Sequence, residues 1–154
     1  MPATGHSAER LPLACNASPG DKPWQLKVTF HNRGPAPFVI LRWHSPLDAW
    51  FSEFLSIEQL GQPIPYMGAK AKRGAPSEDD LLLLLPNSEH TELLDLTQAY
   101  QLHNEPALIK FSSIAVQEVQ LDKPLTWQPE MQLSLECPEL MFPLIDQLPT
   151  GISK

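Results

Sequence analysis

The stretch Trp24-Gln-Leu26-Lys-Val28-Thr-Phe30-His31 decides the fold, because apolar and polar side chains alternate along it without an error. This period of two predicts a β-strand with one buried face and one solvent-exposed face. The stretch Met131-Gln-Leu-Ser-Leu-Glu-Cys137 repeats the pattern near the other end of the chain. Both stretches therefore predict half-buried strands of an antiparallel sheet.

Further strand candidates lie between these two stretches, at residues 38–43, 54–57, 81–85, 92–96 and 107–116. Turn residues separate them, among them Arg33-Gly-Pro-Ala-Pro37. That short turn predicts that the strands on either side of it form a hairpin with a slightly long loop. Residues 47–54 and 97–102 are each long enough for one helical turn and too short for a core helix.

The composition favours short elements, since 17 of the 154 residues are proline. About seven strands in one domain predict an all-β, immunoglobulin-like antiparallel β-sandwich. Trp43, at the end of the third candidate strand, and Tyr100, just before a later one, stand where such folds bury a tryptophan and a corner tyrosine. Ordinary core aromatics explain both positions equally well.

Three regions are predicted along the chain. Residues 1–10 are polar and form a flexible N-terminus, and residues 11–137 form the sandwich. Residues 138–154 form an apolar tail that three prolines interrupt. We expect this tail to lie extended against its own domain or in a partner's groove rather than to form a regular element.

The two cysteines, Cys15 and Cys137, fall on predicted strands near opposite ends of the chain. First and last strands of a sandwich are often neighbours, so a disulfide between them is geometrically reasonable. Two buried free thiols are the alternative. The sequence leaves both open.

The charge is distributed unevenly around a net value of −7. Residues 1–73 carry eight basic and five acidic side chains, and residues 74–154 carry three basic and thirteen acidic ones. An acidic second half disfavours nucleic acid, whose phosphates demand neutralisation, and it disfavours anionic membranes. Solubility by itself accounts for most of this charge.

Catalytic motifs are absent from the sequence. His90-Thr-Glu92 lacks the second histidine of a His-Glu-x-x-His zinc site, and no nucleophile elbow, phosphate loop or dinucleotide fingerprint occurs. We therefore expect a protein that is not an enzyme and that binds no metal or cofactor. The first ten residues also lack the apolar core of a signal peptide.

Several segments resemble the N-terminal propeptide region of peptidyl-Lys metalloendopeptidases, zinc proteases of the deuterolysin-like, aspzincin class. Arg42-Trp-His-Ser-Pro-Leu-Asp48 is similar to that region's Lys-Trp-x-Thr-Pro-Leu-Asp. The other similar segments are Pro63-Ile-Pro-Tyr-x-Gly68, Lys72-Arg-Gly-x-Pro76, Leu85-Pro-x-x-Ser88 and Asp95-Leu-x-x-Ala-Tyr100. The ordered matches span residues 24–111. One strand departs from the family pattern at residues 105–111.

The resemblance implies a non-catalytic domain that inhibits a secreted zinc metalloendopeptidase in cis or in trans, and a role as its intramolecular chaperone is compatible with the same resemblance. It implies a secreted or periplasmic location and a monomer when free. Because these residues contain no catalytic domain, the chain is either an isolated propeptide or a free-standing relative. The alternative is an immunoglobulin-like binding or adhesion module that inhibits no protease.

Two segments are candidates for blocking the protease. Lys70, Lys72 and Arg73 lie on a loop at residues 67–76, where a basic side chain would enter the acidic pocket of a lysine-preferring protease. Solvated charges on a family-type turn are the alternative for this loop. In the tail the candidates are Met141, Phe142, Leu144, Ile145 and Lys154.

Overall fold

The computed structural model describes residues 11–48, 50–71 and 73–142, and in them eleven β-strands form three antiparallel sheets without an α-helix. The all-β prediction is confirmed. The strands are β1 (Leu13–Pro19), β2 (Gln25–Asn32), β3 (Phe38–Leu41), β4 (Leu55–Gln59), β5 (Gln62–Ile64), β6 (Leu81–Leu84), β7 (Ser88–Asp95), β8 (Ala107–Phe111), β9 (Ile114–Glu118), β10 (Leu133–Leu135) and β11 (Leu140–Phe142). Short 3-10 turns occupy Pro46–Asp48, Glu78–Asp80, Leu96–Gln98 and Pro129–Met131.

The first sheet has the order β1-β2-β7, with the stretch that opened the sequence at its centre. Leu26, Val28 and Phe30 of β2 are completely buried, and Lys27 between them is exposed. The alternation predicted from the sequence is therefore the actual division between core and solvent.

The other two sheets have the orders β10-β9-β3-β6 and β11-β8-β4-β5. Strands at the same position of the two orders follow each other in the chain: β10 and β11, β9 and β8, β3 and β4, and β6 and β5. Each such pair is therefore one longer extended run that is interrupted in the middle. With the three strands of the first sheet, the described residues contain seven runs. The first, second and fifth lie in one layer, and the seventh, sixth, third and fourth lie in the other in that order. This is the strand order of an immunoglobulin-like sandwich, and the predicted number matches the runs rather than the hydrogen-bonded segments.

One interruption separates β10 from β11 and keeps the register. Leu135 pairs with Ile114 before the interruption, and Leu140 pairs with Ile109 after it. The segment between Leu135 and Leu140 therefore has the same length as the segment between Ile109 and Ile114 that it faces. Continuing this register places Pro138 opposite Phe111. Proline has no backbone N–H to donate, so the ladder breaks there.

A much longer interruption lies between β3 and β4. The chain from Phe38 to Leu55 faces only the stretch from Phe111 to Glu118. The extra residues, 42–54, leave the sheet as a loop. Residues 65–80 leave the neighbouring run, between β5 and β6, in the same way. We call these two segments the paired loops.

The predicted hairpin between the second and third strands is wrong. β2 pairs with β1 and β7, whereas β3 pairs with β6 and β9, so the connecting loop crosses from one layer to the other. Asn32 fixes this crossing, since its amide donates to the carbonyl oxygens of Ala36 (2.8 Å) and Leu84 (3.0 Å). A short loop in the sequence does not reveal whether it turns within a sheet or bridges two.

A disulfide joins Cys15 to Cys137, with their Cα atoms 4.8 Å apart. It links β1 to the last run, the neighbouring edge of the other layer. The sandwich continues beyond the predicted boundary at residue 137, because β11 pairs with β8 and the Phe142 ring packs 5.2 Å from Trp24. The expectation that the tail forms no regular element is thus wrong for residues 140–142. Apolar side chains at this edge complete the core.

The two aromatic positions singled out in the sequence have different environments. Tyr100 is 3% exposed, and its hydroxyl donates to the Leu55 carbonyl oxygen at 3.0 Å. Trp43 is only half-buried, and the buried tryptophans are Trp24 and Trp50.

No helix among the described residues is long and apolar enough to cross a membrane. The N-terminal prediction, residues 1–10, lies outside the described residues.

Candidate functional site: the paired loops

The paired loops contact each other through their backbones. The Ala71 N–H donates to the Phe51 carbonyl oxygen at 3.0 Å. The Tyr66 hydroxyl lies between the loops, where it donates to the carbonyl oxygen of Trp50 at 2.7 Å and also contacts that of Ala69. Two long loops thereby become one surface unit with a defined shape.

An ion pair between Asp48 and Arg73 ties the loops together. One guanidinium nitrogen of Arg73 lies 2.8 and 2.9 Å from the two carboxylate oxygens of Asp48. The Ser52 hydroxyl donates to the same carboxylate. The Asp48 side chain is 7% exposed and that of Arg73 24%, so water screens the pair much less than a surface ion pair.

Local structure places both partners. Asp48 ends the 3-10 turn Pro46–Asp48, in which its N–H donates to the Ser45 carbonyl oxygen at 3.1 Å. The Arg73 guanidinium lies over the Trp43 ring, 5.2 Å from its centre. Arg73 is therefore not a fully solvated charge, because one of its terminal nitrogens binds Asp48 and its flat face lies over Trp43 inside the domain.

Aromatic rings fill the space under the loops. Trp50 stacks on Phe54 with 5.1 Å between ring centres, and Tyr100 meets the rings of both Trp50 and Tyr66 edge-on. Burial raises the pKa of Tyr66, and the charges of Asp48 and Glu53 raise that pKa further. Burial is also the main cause of the raised pKa of Tyr100. Both phenols thus stay neutral hydrogen-bond donors at ordinary pH.

Among the predicted contact residues of the 67–76 loop, the structure leaves Lys70 accessible. Its side chain is 70% exposed, and its amine lies 3.7 Å from Glu53 and 5.9 Å from the centre of the Tyr66 ring. Phe51, 52% exposed, lies on the facing loop, and both side chains line a shallow cavity of about 380 Å³. The exposed pair of Lys70 and Phe51 forms the accessible face of the paired loops.

The tail candidates separate into two groups. Met141 is 59% exposed on β11, whereas Phe142 is completely buried and serves the core rather than a partner. The remaining tail candidates, Leu144, Ile145 and Lys154, lie outside the described residues, and so does the loop candidate Lys72. Within the described part of the chain, no group of three or more His, Cys, Asp or Glu side chains could hold a metal ion.

Two segments that are distant in sequence meet at Arg73. Trp43 and Asp48 belong to the first segment and Arg73 to a later one, and the Arg73 side chain contacts both of the others. Sequence reasoning missed the supporting roles of Ser52 and Phe51, which lie outside the quoted motifs. Their only sequence signal was the insertion that separates β3 from β4.

Comparison with known proteins gives a partial match. No family model matches the chain. An extracellular protease of Aeromonas hydrophila is 31% identical over 78 residues, which cover 51% of this chain and 22% of that protein. The chain thus spans about a fifth of the relative it matches. This similarity relates the chain to part of a secreted protease, and the Cys15–Cys137 disulfide agrees with an oxidising compartment.

Proposed function

We propose that this domain is a non-catalytic, propeptide-like inhibitor of a secreted zinc endopeptidase of the aspzincin class, acting in cis or in trans. The observation that carries the proposal is the paired loops. They gather the propeptide-like segments into one braced unit and expose Lys70 on it. The similarity to part of an extracellular protease supports an extracellular protease as the partner, and the aspzincin class is the finer part of the proposal.

Inhibition would be steric. Lys70 would enter the acidic pocket of a lysine-preferring protease, and the loops around it would exclude substrate from the catalytic cleft. The Asp48–Arg73 pair and the Tyr66 hydroxyl already fix these loops. An interface ordered before binding loses less conformational entropy, and this favours tight inhibition.

The test is titration of a peptidyl-Lys aspzincin with the purified chain, following hydrolysis of a lysine-containing peptide. We expect stoichiometric inhibition that Lys70→Ala weakens by at least about tenfold, the usual effect of losing an anchoring side chain. Lys27→Ala, which removes an exposed lysine on β2, is the matched control and should inhibit like the unaltered chain. No inhibition with the folded chain in excess would contradict the proposal.

A second variant separates the loops from the tail. It should end after Phe142, because a cut at residue 137 would remove the buried Phe142 and damage the core. Full inhibition by this variant would favour the paired loops as the blocking element. Loss of inhibition, with an unchanged melting temperature, would move the blocking role to residues 143–154.

A further inference from the structure

The tip of the β4–β5 hairpin combines backbone strain with an exposed apolar side chain. Leu60 and Gly61 form its two-residue turn, with φ angles of 54° and 75°. Turns with positive φ at both positions favour asparagine, aspartate or glycine, and a bulky residue there is strained. Leu60 is also 75% exposed, so the turn would be more stable with a polar residue. Such a departure from local preference points to function.

The base of this hairpin is fixed. Gln59 is 2% exposed, and its side-chain amide donates to the carbonyl oxygens of His103 (2.9 Å) and Glu105 (2.8 Å). Its side-chain oxygen accepts from the His103 N–H at 2.9 Å. Three hydrogen bonds to a neighbouring loop hold the turn in place, so Leu60 projects from a rigid support.

Leu60 shares an uncharged surface with Met67, which is 64% exposed. Both line a shallow cavity of about 330 Å³, and the other side chains around it are glutamine, proline, isoleucine and histidine. None of these carries a formal charge at pH 7 with histidine neutral, although the whole chain carries −7. The Met67 N–H donates to the Ala99 carbonyl oxygen at 2.7 Å, which fixes the start of the loop that displays Lys70.

We propose that Leu60 and Met67 form a second contact between this domain and the endopeptidase, with Leu60 inserted in an apolar, uncharged depression of the protease. This inference rests on the proposed function. A single projecting leucine requires a concave apolar partner surface, and a charged one would be desolvated without compensation. Met67 and Lys70 lie on the same loop, so an enzyme that engages the lysine has access to this surface as well.

The test uses Leu60→Asn, because asparagine tolerates the left-handed conformation that leucine resists. We expect this variant to melt at the same temperature as the unaltered chain or higher, and to bind the protease roughly 10- to 100-fold more weakly, the effect of losing one buried leucine. Leu121→Asn, which removes a leucine that is 57% exposed in a different loop, is the matched control.

Binding should be measured by calorimetry with a purified peptidyl-Lys aspzincin. Unaltered affinity of Leu60→Asn, while the parent chain binds and Lys70→Ala binds weakly, would overturn this inference and leave the proposed function intact. Failure of the parent chain to bind would overturn both. A concentration-dependent dimer in sedimentation experiments that Leu60→Asn abolishes would assign the surface to a second copy of the chain, and so would also overturn the inference.

Discussion

Two of the interruptions in the second layer of the sandwich are stabilised differently. Between β10 and β11 the break is short, the register continues, and a disulfide from Cys137 to Cys15 ties it to the other layer. Between β3 and β4 the break is long, and the Asp48–Arg73 ion pair holds the loops that leave the sheet. One site is fixed covalently and the other by directional polar contacts.

This difference shows how a sandwich can separate stability from display. A covalent link next to the core restrains the whole chain, since it closes a loop over a separation of 122 residues. The Asp48–Arg73 ion pair, the brace of the paired loops, fixes only the segments that it contacts and leaves them at the surface. We therefore expect global stability to depend on the disulfide and loop geometry to depend on the ion pair.

The largest effect is expected from removing the covalent link with Cys15→Ser and Cys137→Ser together. The unfolded chain gains loop entropy, which the chain-entropy model values at about 4–5 kcal/mol for a loop of this length. The free energy of unfolding, measured by urea titration, should fall by about that amount. A change below about 1 kcal/mol would show that the core alone holds this edge of the sandwich.

A smaller loss is expected from Asp48→Ala, which leaves the Arg73 guanidinium partly buried without its carboxylate. Breaking such a pair should lower the free energy of unfolding by about 2–3 kcal/mol. Trypsin should also cleave the loop at residues 65–80 faster than in the unaltered chain. Glu53→Ala removes the partner of the exposed Lys70 and is the control, since exposed pairs contribute less than about 1 kcal/mol. Equal effects of both variants would contradict a special role for the brace.

Arg73→Lys tests whether charge alone suffices. A lysine can reach Asp48, but it has no planar group to stack on Trp43, so we expect a loss of about 1 kcal/mol. Tryptophan fluorescence should change as the Trp43 environment loosens, while unfolding remains a single transition. If the Arg73→Lys variant has the stability and fluorescence of the parent, the positive charge alone holds the loops and the contact with Trp43 contributes nothing measurable.

The smallest effect is expected at Asp80, at the end of the second paired loop. The Ser77 backbone N–H donates to its carboxylate at 2.9 Å and, as the largest cause, lowers the pKa of Asp80 below its usual 3.8. Its stabilising contribution is therefore complete above pH 3.8 and is lost as pH falls through the depressed pKa. Asp80→Asn should lose under about 1 kcal/mol at pH 7, and this difference should shrink toward pH 3. A difference independent of pH would exclude the charge as its cause.

The sequence predicted the strands far better than their partners. The alternation in β2 specifies which side chains are buried, because that information is local to the strand. The false hairpin between β2 and β3 arose because pairing depends on which layer a loop leads to, and here the Asn32 side chain decides this through a contact with Leu84. The break at Pro138 was readable only once the register with Phe111 was known.

For the candidate site, the sequence by itself determined only the residue types and their order, and from these it predicted contact residues that include Lys70 and Arg73. Only the tertiary structure decided that Arg73 is used internally, that Phe142 belongs to the core, and that Phe51 and Leu60 are displayed. The physical reason is that residue type limits what a side chain can do, whereas its exposure and partners depend on chain segments distant in sequence. Twenty-five positions separate the two halves of the ion pair, and folding alone brings them within 2.8 Å.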